Sequence, residues 1–200
     1  EAWSALATSL VESADRAIEP VDAVRLLREA STLYTERLSD AAKAAEVLRK
    51  ACSVDPVNMV LLRELVARLS ETGEHQAAID ELTQALDWQP LDQRTLVEFL
   101  RRRAELGMIV GAEDKAAADR ERAYEVVGAE LIPDLVDGLE RWRSAATRRS
   151  DRAGERAATL RLVEILGKDG AGEQARVALA EWVAREPGDT RALRMPMDLD

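Results

Sequence analysis

Few of the 200 residues have side chains suited to catalysis or metal binding: there is one histidine, His75, and one cysteine, Cys52. A zinc site needs several His or Cys ligands, and a nucleophilic thiol needs a base beside it. Neither set can be assembled here. His75, next to Glu74, therefore reads as a solvated residue at a helix start, not as a base or ligand. Cys52 reads as a small buried hydrophobe on an apolar helix face, not as a reactive thiol. Gly167, Gly170 and Gly172 of GKDGAGEQ resemble a phosphate loop superficially. No strand precedes them and no Lys-Ser/Thr follows, so they imply a hairpin turn. The many carboxylates show no convergence on a dry cleft, so no acid–base pair is assigned. No catalytic, cofactor-binding or metal-binding residue follows from the sequence, and the chain is expected not to be an enzyme.

The whole-chain composition points the same way. The formal net charge of -10 opposes general nucleic-acid binding, which needs a surplus of Lys and Arg to neutralise phosphates. One region runs against that balance: Arg141, Arg143, Arg148, Arg149, Arg152, Arg156 and Arg161, beside Trp142, form a patch that could attract nucleic acid weakly. Glu140, Asp151 and Glu155 interrupt it, so a charged, solvated helix pair is the competing reading. A single cysteine cannot form an intrachain disulfide and fits a reducing compartment, so a cytoplasmic location is expected. No apolar run approaches the roughly 20 residues that span a bilayer. The sequence starts at Glu1 without Met or a signal-peptide pattern, and is read as a segment of a longer protein.

These residues must be positioned by helices, because Ala, Leu, Glu and Arg dominate and no alternating strand pattern occurs. A leading helix over 1–18 places Trp3, Leu6, Leu10 and Val11 on one stripe. Pro20 starts a second helix carrying Leu27, Ala30, Tyr34 and Leu38. Ser39 and Asp40 open a third with Ala44, Leu48 and Ala51, closing the hairpin 20–56 at Pro56. The stretch 57–90 repeats that plan: Leu62, Leu65, Val66 and Leu69, a turn at Gly73, then Ala78, Leu82, Ala85 and Pro90. Stepping back 34 positions from Ala78, Leu82, Ala85 and Pro90 lands on Ala44, Leu48, Ala51 and Pro56, each of the same type.

With that register the chain resembles the tetratricopeptide (TPR) repeat family, whose unit is a helical hairpin of this length. Leu62, Leu65, Leu69, Ala78, Leu82, Ala85 and Pro90 fill the family pattern. Val66 stands where the family prefers a small residue, and Leu62 where Trp is frequent. The resemblance implies an all-α, right-handed solenoid of antiparallel helical hairpins, about ten helices, in one segment of a longer bacterial-type TPR protein. Residues 91–128 form a degenerate hairpin with Leu96, Phe99 and Leu100, a turn at Gly107 and an inserted MIVGAEDK. Ala116, Ala123 and Gly128 follow, with Arg120 in an apolar slot. An extra helix covers 131–148 with Leu135, Leu139 and Trp142. A further hairpin over 151–187 carries Ala158, Leu162, Leu166, Ala175, Leu179 and Pro187, with Trp182 in an Ala slot, which implies wide packing or an open end. In 188–200 a truncated unit starts, with Asp189 or Thr190 as cap and Leu193 in the first large slot, until Pro196 stops it. Leu6, Leu10, Ala44, Leu48 and Pro56 also match Leu135, Leu139, Ala175, Leu179 and Pro187 at offsets of 129 to 131, as if a three-helix block recurred.

The resemblance further implies that first helices line a concave face. Arg25, Arg28, Arg63, Arg94 and Arg101 fall there, whereas Glu46, Asp80 and Glu81 fall outside. A row of arginines suits an acidic peptide or protein through bidentate contacts, against the plainer reading of solvated arginines. The expected function is a non-enzymatic scaffold or adaptor that binds a protein or peptide. The alternatives are self-association through open solenoid ends and Trp182, and weak nucleic-acid binding through Arg141 to Arg161. Chaperone-type TPR clamps use paired Asn residues, and Asn58 is the single Asn here.

Overall fold

The computed structural model describes residues 2–88 and 90–195. Among these residues there are ten α-helices, no strand and two single 3-10 turns: α1 (Ala2–Arg16), α2 (Pro20–Glu36), α3 (Ala41–Val54), α4 (Met59–Glu71), α5 (His75–Trp88), α6 (Gln93–Val110), α7 (Glu113–Val127), α8 (Ile132–Arg149), α9 (Arg152–Lys168) and α10 (Gly172–Arg185). Within the described residues the fold is all-α, built of successive antiparallel helices as the 34-residue register implies. The chain divides into two compact units, Glu1–Gln89 and Pro90–Asp200. Glu1, Gln89 and Pro196 lie outside the described residues.

The helix boundaries have local causes. Asp40, Asn58, Asp92 and Asp151 each accept a backbone N–H of the first turn of α3, α4, α6 and α9, satisfying donors the helix itself cannot. Several hairpins close in one way. Glu74, Ala112, Asp151 and Ala171 each donate a backbone N–H to the carbonyl five residues back, and the residue before each has positive φ: Gly73, Gly111, Ser150 and Gly170. That geometry reverses the chain within a few residues, so consecutive helices run antiparallel.

In the first unit each helix packs on its chain neighbours. Ala44, Ala51 and Ala78 are fully buried and let helices cross closely, while Leu48, Leu62, Leu65, Leu69 and Leu82 fill the space between them. Ser31 Oγ donates to the Ala44 carbonyl across the α2–α3 crossing. One expectation needs correcting here. The buried stripe of α1 is Ala7 and Ala14, with Leu10 and Val11 beside it, and Trp3 and Leu6 stay exposed. Trp3 instead sits under the Arg37 guanidinium, 5.3 Å from it. Asn58 and Asp55 hold the α3–α4 turn together through the Asn58 side-chain amide.

In the second unit the expected turn at Gly107 is absent. Gly107 is buried inside α6, where a Cβ would meet Ala116 Cβ at 3.4 Å, and the turn comes at Gly111. Of the apparent insertion 108–115, Met108 to Val110 lengthen α6, which has 18 residues against 13 in α4, Gly111 and Ala112 make the turn, and Glu113 to Lys115 open α7. The supposed extra helix α8 is not solitary, since it packs against both α7 and α9, and α9 in turn against α10. At the far end Trp182 does not face an open end. It is buried in the second unit's core with Ala192. Leu193 is exposed and Ala192 takes the buried place, because one 3-10 turn (Ala192–Arg194) replaces a full helix. The longer symmetry also diverges: Leu135 and Leu139 are buried, whereas Leu6 is exposed.

Candidate functional site

The arginines singled out in the sequence fall in both units. In the first, Arg25 reaches Asp22 on its own helix at 3.4 Å. Arg28 on α2 donates Nε and Nη2 to the two carboxylate oxygens of Glu64 on α4, a fork-to-fork pair. Hydrogen bonding to Glu64 raises the Arg28 pKa further above its usual value. Arg63 is half-buried on α4 beside this pair in sequence. In the second unit Arg94 is exposed in the first turn of α6, and Arg101 approaches Asp134 of α8 at 3.4 Å.

Other ion pairs follow the same plan. Arg143 of α8 reaches Glu181 of α10 at 3.3 Å, Arg49 of α3 reaches Glu81 of α5 at 3.1 Å, and Arg161 of α9 reaches Glu121 of α7. Each connects a helix to its next-but-one neighbour, so these arginines tie successive hairpins within a unit. The carboxylate partners Glu64, Asp134 and Glu181 were not found by sequence reasoning. The available signal was a charge of opposite sign roughly one repeat period from each arginine. Where both partners are exposed, as in Arg28–Glu64, such a pair contributes about 0–1 kcal/mol.

Most arginines of the basic region around Trp142 are paired within the chain. Arg141 pairs with Asp137, Arg149 with Glu113, Arg152 with Glu186 and Arg156 with Asp189. Trp142 is half-buried against the core of the second unit. The glycine run forms the α9–α10 turn. His75 begins α5, half-buried. Cys52 is half-buried against the first unit's core, and burial followed by Glu81 and Glu64 pushes its thiol up to about 12. Cys52, expected to pack as a small buried hydrophobe, is thus half-buried. No group of three or more His, Cys, Asp or Glu that could hold a metal occurs among the described residues, and no helix there is long and apolar enough to cross a membrane.

Sequence comparison supplies the family. Residues 4–115 match the family described as bacterial transcriptional activator domain. The chain belongs to that family. The activator-domain match runs from α1 to the start of α7 and therefore takes in the repeat register and the arginines through Arg101. Among solved structures this activator-domain chain is similar to a crystal structure of MamA, at 19% identity and TM-score 0.45 over 73% of this chain and 80% of that one. A second MamA structure gives 19% and 0.45 over 72% and 74%. A tetratricopeptide repeat protein from Parabacteroides merdae ATCC 43184 gives 18% and 0.45 over 84% and 69%. No curated protein matches the chain.

Proposed function

We propose that this activator-domain chain is a non-enzymatic docking module of a bacterial transcriptional regulator, which engages an acidic segment of a partner protein through Arg25, Arg28 and Arg63 of the first unit. Arg94 and Arg101 supply equivalent positions in the second. The observation that carries the reading is the exposed Arg28–Glu64 fork. It holds a guanidinium in bidentate geometry while leaving it open to exchange with a partner carboxylate. The repeated spacing of buried Ala and Leu along the chain supports it further, since an internal frame leaves recognition to surface side chains.

The alternatives gain less support. The basic Arg141–Arg161 region is countered by its own carboxylates, and Trp182 is covered, which removes the aromatic expected to drive end-to-end association. Affinity capture with the 200-residue chain as bait, in wild-type form and with Arg25, Arg28 and Arg63 all changed to Glu, tests the proposal. A protein retained by the wild type and lost by the triple variant is the expected result. Equal retention by both overturns the arginine surface, and retention of nothing by either overturns the docking role.

A further inference from the structure

Away from the arginines, the exposed apolar side chains of the first unit include a group gathered by topology at one end. Consecutive helices run antiparallel, so the α1–α2 turn, the α3–α4 turn and the C-terminus of α5 all lie at that end. The α2–α3 and α4–α5 turns lie at the other. The first group exposes Ile18 at 94%, Val21 at 74%, Val57 at 61% and Trp88 at 60%, with Val54 and Val60 beside Val57. The opposite turns carry Arg37, Ser39 and Asp40, and Thr72 and Glu74, and the start of α1 at that end exposes Trp3 at 46%, under Arg37, and Leu6 at 43%. A cleft of about 370 Å³ opens beside the apolar group, lined in part by Cys52, Pro56, Leu62, Ala85 and Trp88. Isolated exposed apolar residues need no explanation, but a set at one end of one unit marks an interaction surface.

The sequence repeats this feature with the repeat. Ile18 and Val21 flank Pro20, Val54 and Val57 flank Pro56 in the same positions, and Trp88 stands two residues before Pro90. Charge then selects the occupant. Cations at this end are held within the chain: Arg16 by Glu12, Arg25 by Asp22, Lys50 by Asp15, and Arg49, which lines the cleft, by Glu81. Glu19, Asp55 and Asp87 have no cationic partner among the described residues. A second copy docked face to face would set these carboxylates against their own kind, which costs specificity and affinity.

We propose that this end of the first unit is a docking surface for a basic amphipathic helix of a partner protein. Its apolar face covers Ile18, Val21, Val57 and Trp88, and its flanking Lys or Arg residues meet Glu19, Asp55 and Asp87. Helices seated in apolar grooves are a common mode of recognition, and the charged rim sets orientation. This inference rests on the protein-docking reading above; Arg25, near the start of α2, borders both surfaces, whereas Ile18, Val57 and Trp88 belong to this one alone.

The test titrates an amphipathic Leu/Lys peptide into the full 200-residue chain, with a Leu/Glu peptide of the same apolar face as control. Ile18→Glu and Val57→Glu provide two variants at exposed turn positions, and circular dichroism verifies that their helicity is retained. Both variants add negative charge, so simple attraction between opposite charges would strengthen binding of the Leu/Lys peptide. Docking on the apolar surface predicts instead that each weakens it by about tenfold or more, and that the Leu/Glu peptide does not bind. Unchanged or tighter Leu/Lys binding by both variants overturns the proposal. So does a dimer in sedimentation that either variant disperses, since the occupant is then a second copy. If the Glu variants at 18 and 57 still retain the captured partner that the arginine triple variant loses, the docking function stands and this surface is removed.

Discussion

The Arg120 side chain of α7 lies across Gly138 of α8, where an added Cβ would come within 2.6 Å of Nη1 and 2.7 Å of Cδ. Arg120 is only 7% exposed, and Asp134 and Asp137, on the same helix as the glycine, flank it at 3.7 Å each. An arginine can thus fill a slot where the repeat pattern calls for a large apolar residue. Its stem packs as a hydrocarbon, its charge is matched by two carboxylates, and the facing helix omits a side chain. Gly138→Ala is expected to destabilise the chain by about 1–3 kcal/mol in urea unfolding, the usual range for overpacking. In an Arg120→Ala background the same substitution should have little effect. Additive losses in that double-mutant cycle would show that the contact is not the cause.

Leu82 is 1% exposed at the crossing of α5 with the rest of the first unit. Leu82→Ala should cost about 2–5 kcal/mol, from lost burial and the cavity left behind. A loss within about 0.5 kcal/mol, the scatter of surface substitutions, would mean that the repeat register is misplaced.

Asp189 accepts hydrogen bonds from Arg156, from Trp182 Nε1 at 2.9 Å and from the backbone N–H groups of Arg191 and Ala192. The Arg156 bond foremost, and the Trp182 bond with it, hold its carboxyl well below the usual carboxylate range. With a depressed folded value, its stabilising contribution is complete above about pH 4, the ordinary unfolded pKa, and is lost as pH falls from there toward the folded value. Asp189→Asn should lower stability at neutral pH, shift Trp182 fluorescence to the red and remove this titration. A variant whose acid unfolding curve overlays that of the wild type would refute the assignment.

Cys52 provides a check on reactivity. With its thiol pushed up to about 12 by burial and nearby carboxylates, it should react with a disulfide reagent far more slowly at pH 8 than an unfolded thiol of pKa about 8.5. Adding denaturant should restore the full rate. Equal rates with and without denaturant would contradict the half-buried placement.

The frame of this protein was legible because it depends on local periodicity. Ala44, Leu48 and Ala51 against Ala78, Leu82 and Ala85 gave the register from side-chain size alone, and all six are buried. Misreadings arose where one residue type serves two purposes. Gly107 looked like a turn because glycine breaks helices, but it lies in a helix, close against Ala116. Trp182 looked exposed because the pattern wants Ala there, yet the bend at Asp189 folds Ala192 onto its core. The arginines could be placed on helices, but their partners could not. A pair such as Arg28 with Glu64 depends on the offset between neighbouring hairpins, and a helical wheel does not contain that offset. The apolar end of the first unit stayed hidden for a related reason: Ile18, Val57 and Trp88 are far apart in sequence and share a location only after the helices reverse direction.

The ties between next-but-one helices have a mechanical consequence. They run along the direction in which hairpins succeed one another, whereas the Ala and Leu core binds each helix to its immediate neighbour. Exposed ion pairs are screened by salt and buried apolar contacts are not. Within each unit, raising ionic strength should therefore soften bending between hairpins while leaving the melting temperature almost unchanged. Stiffness and stability are set by different residues, and either can drift under mutation without carrying the other along.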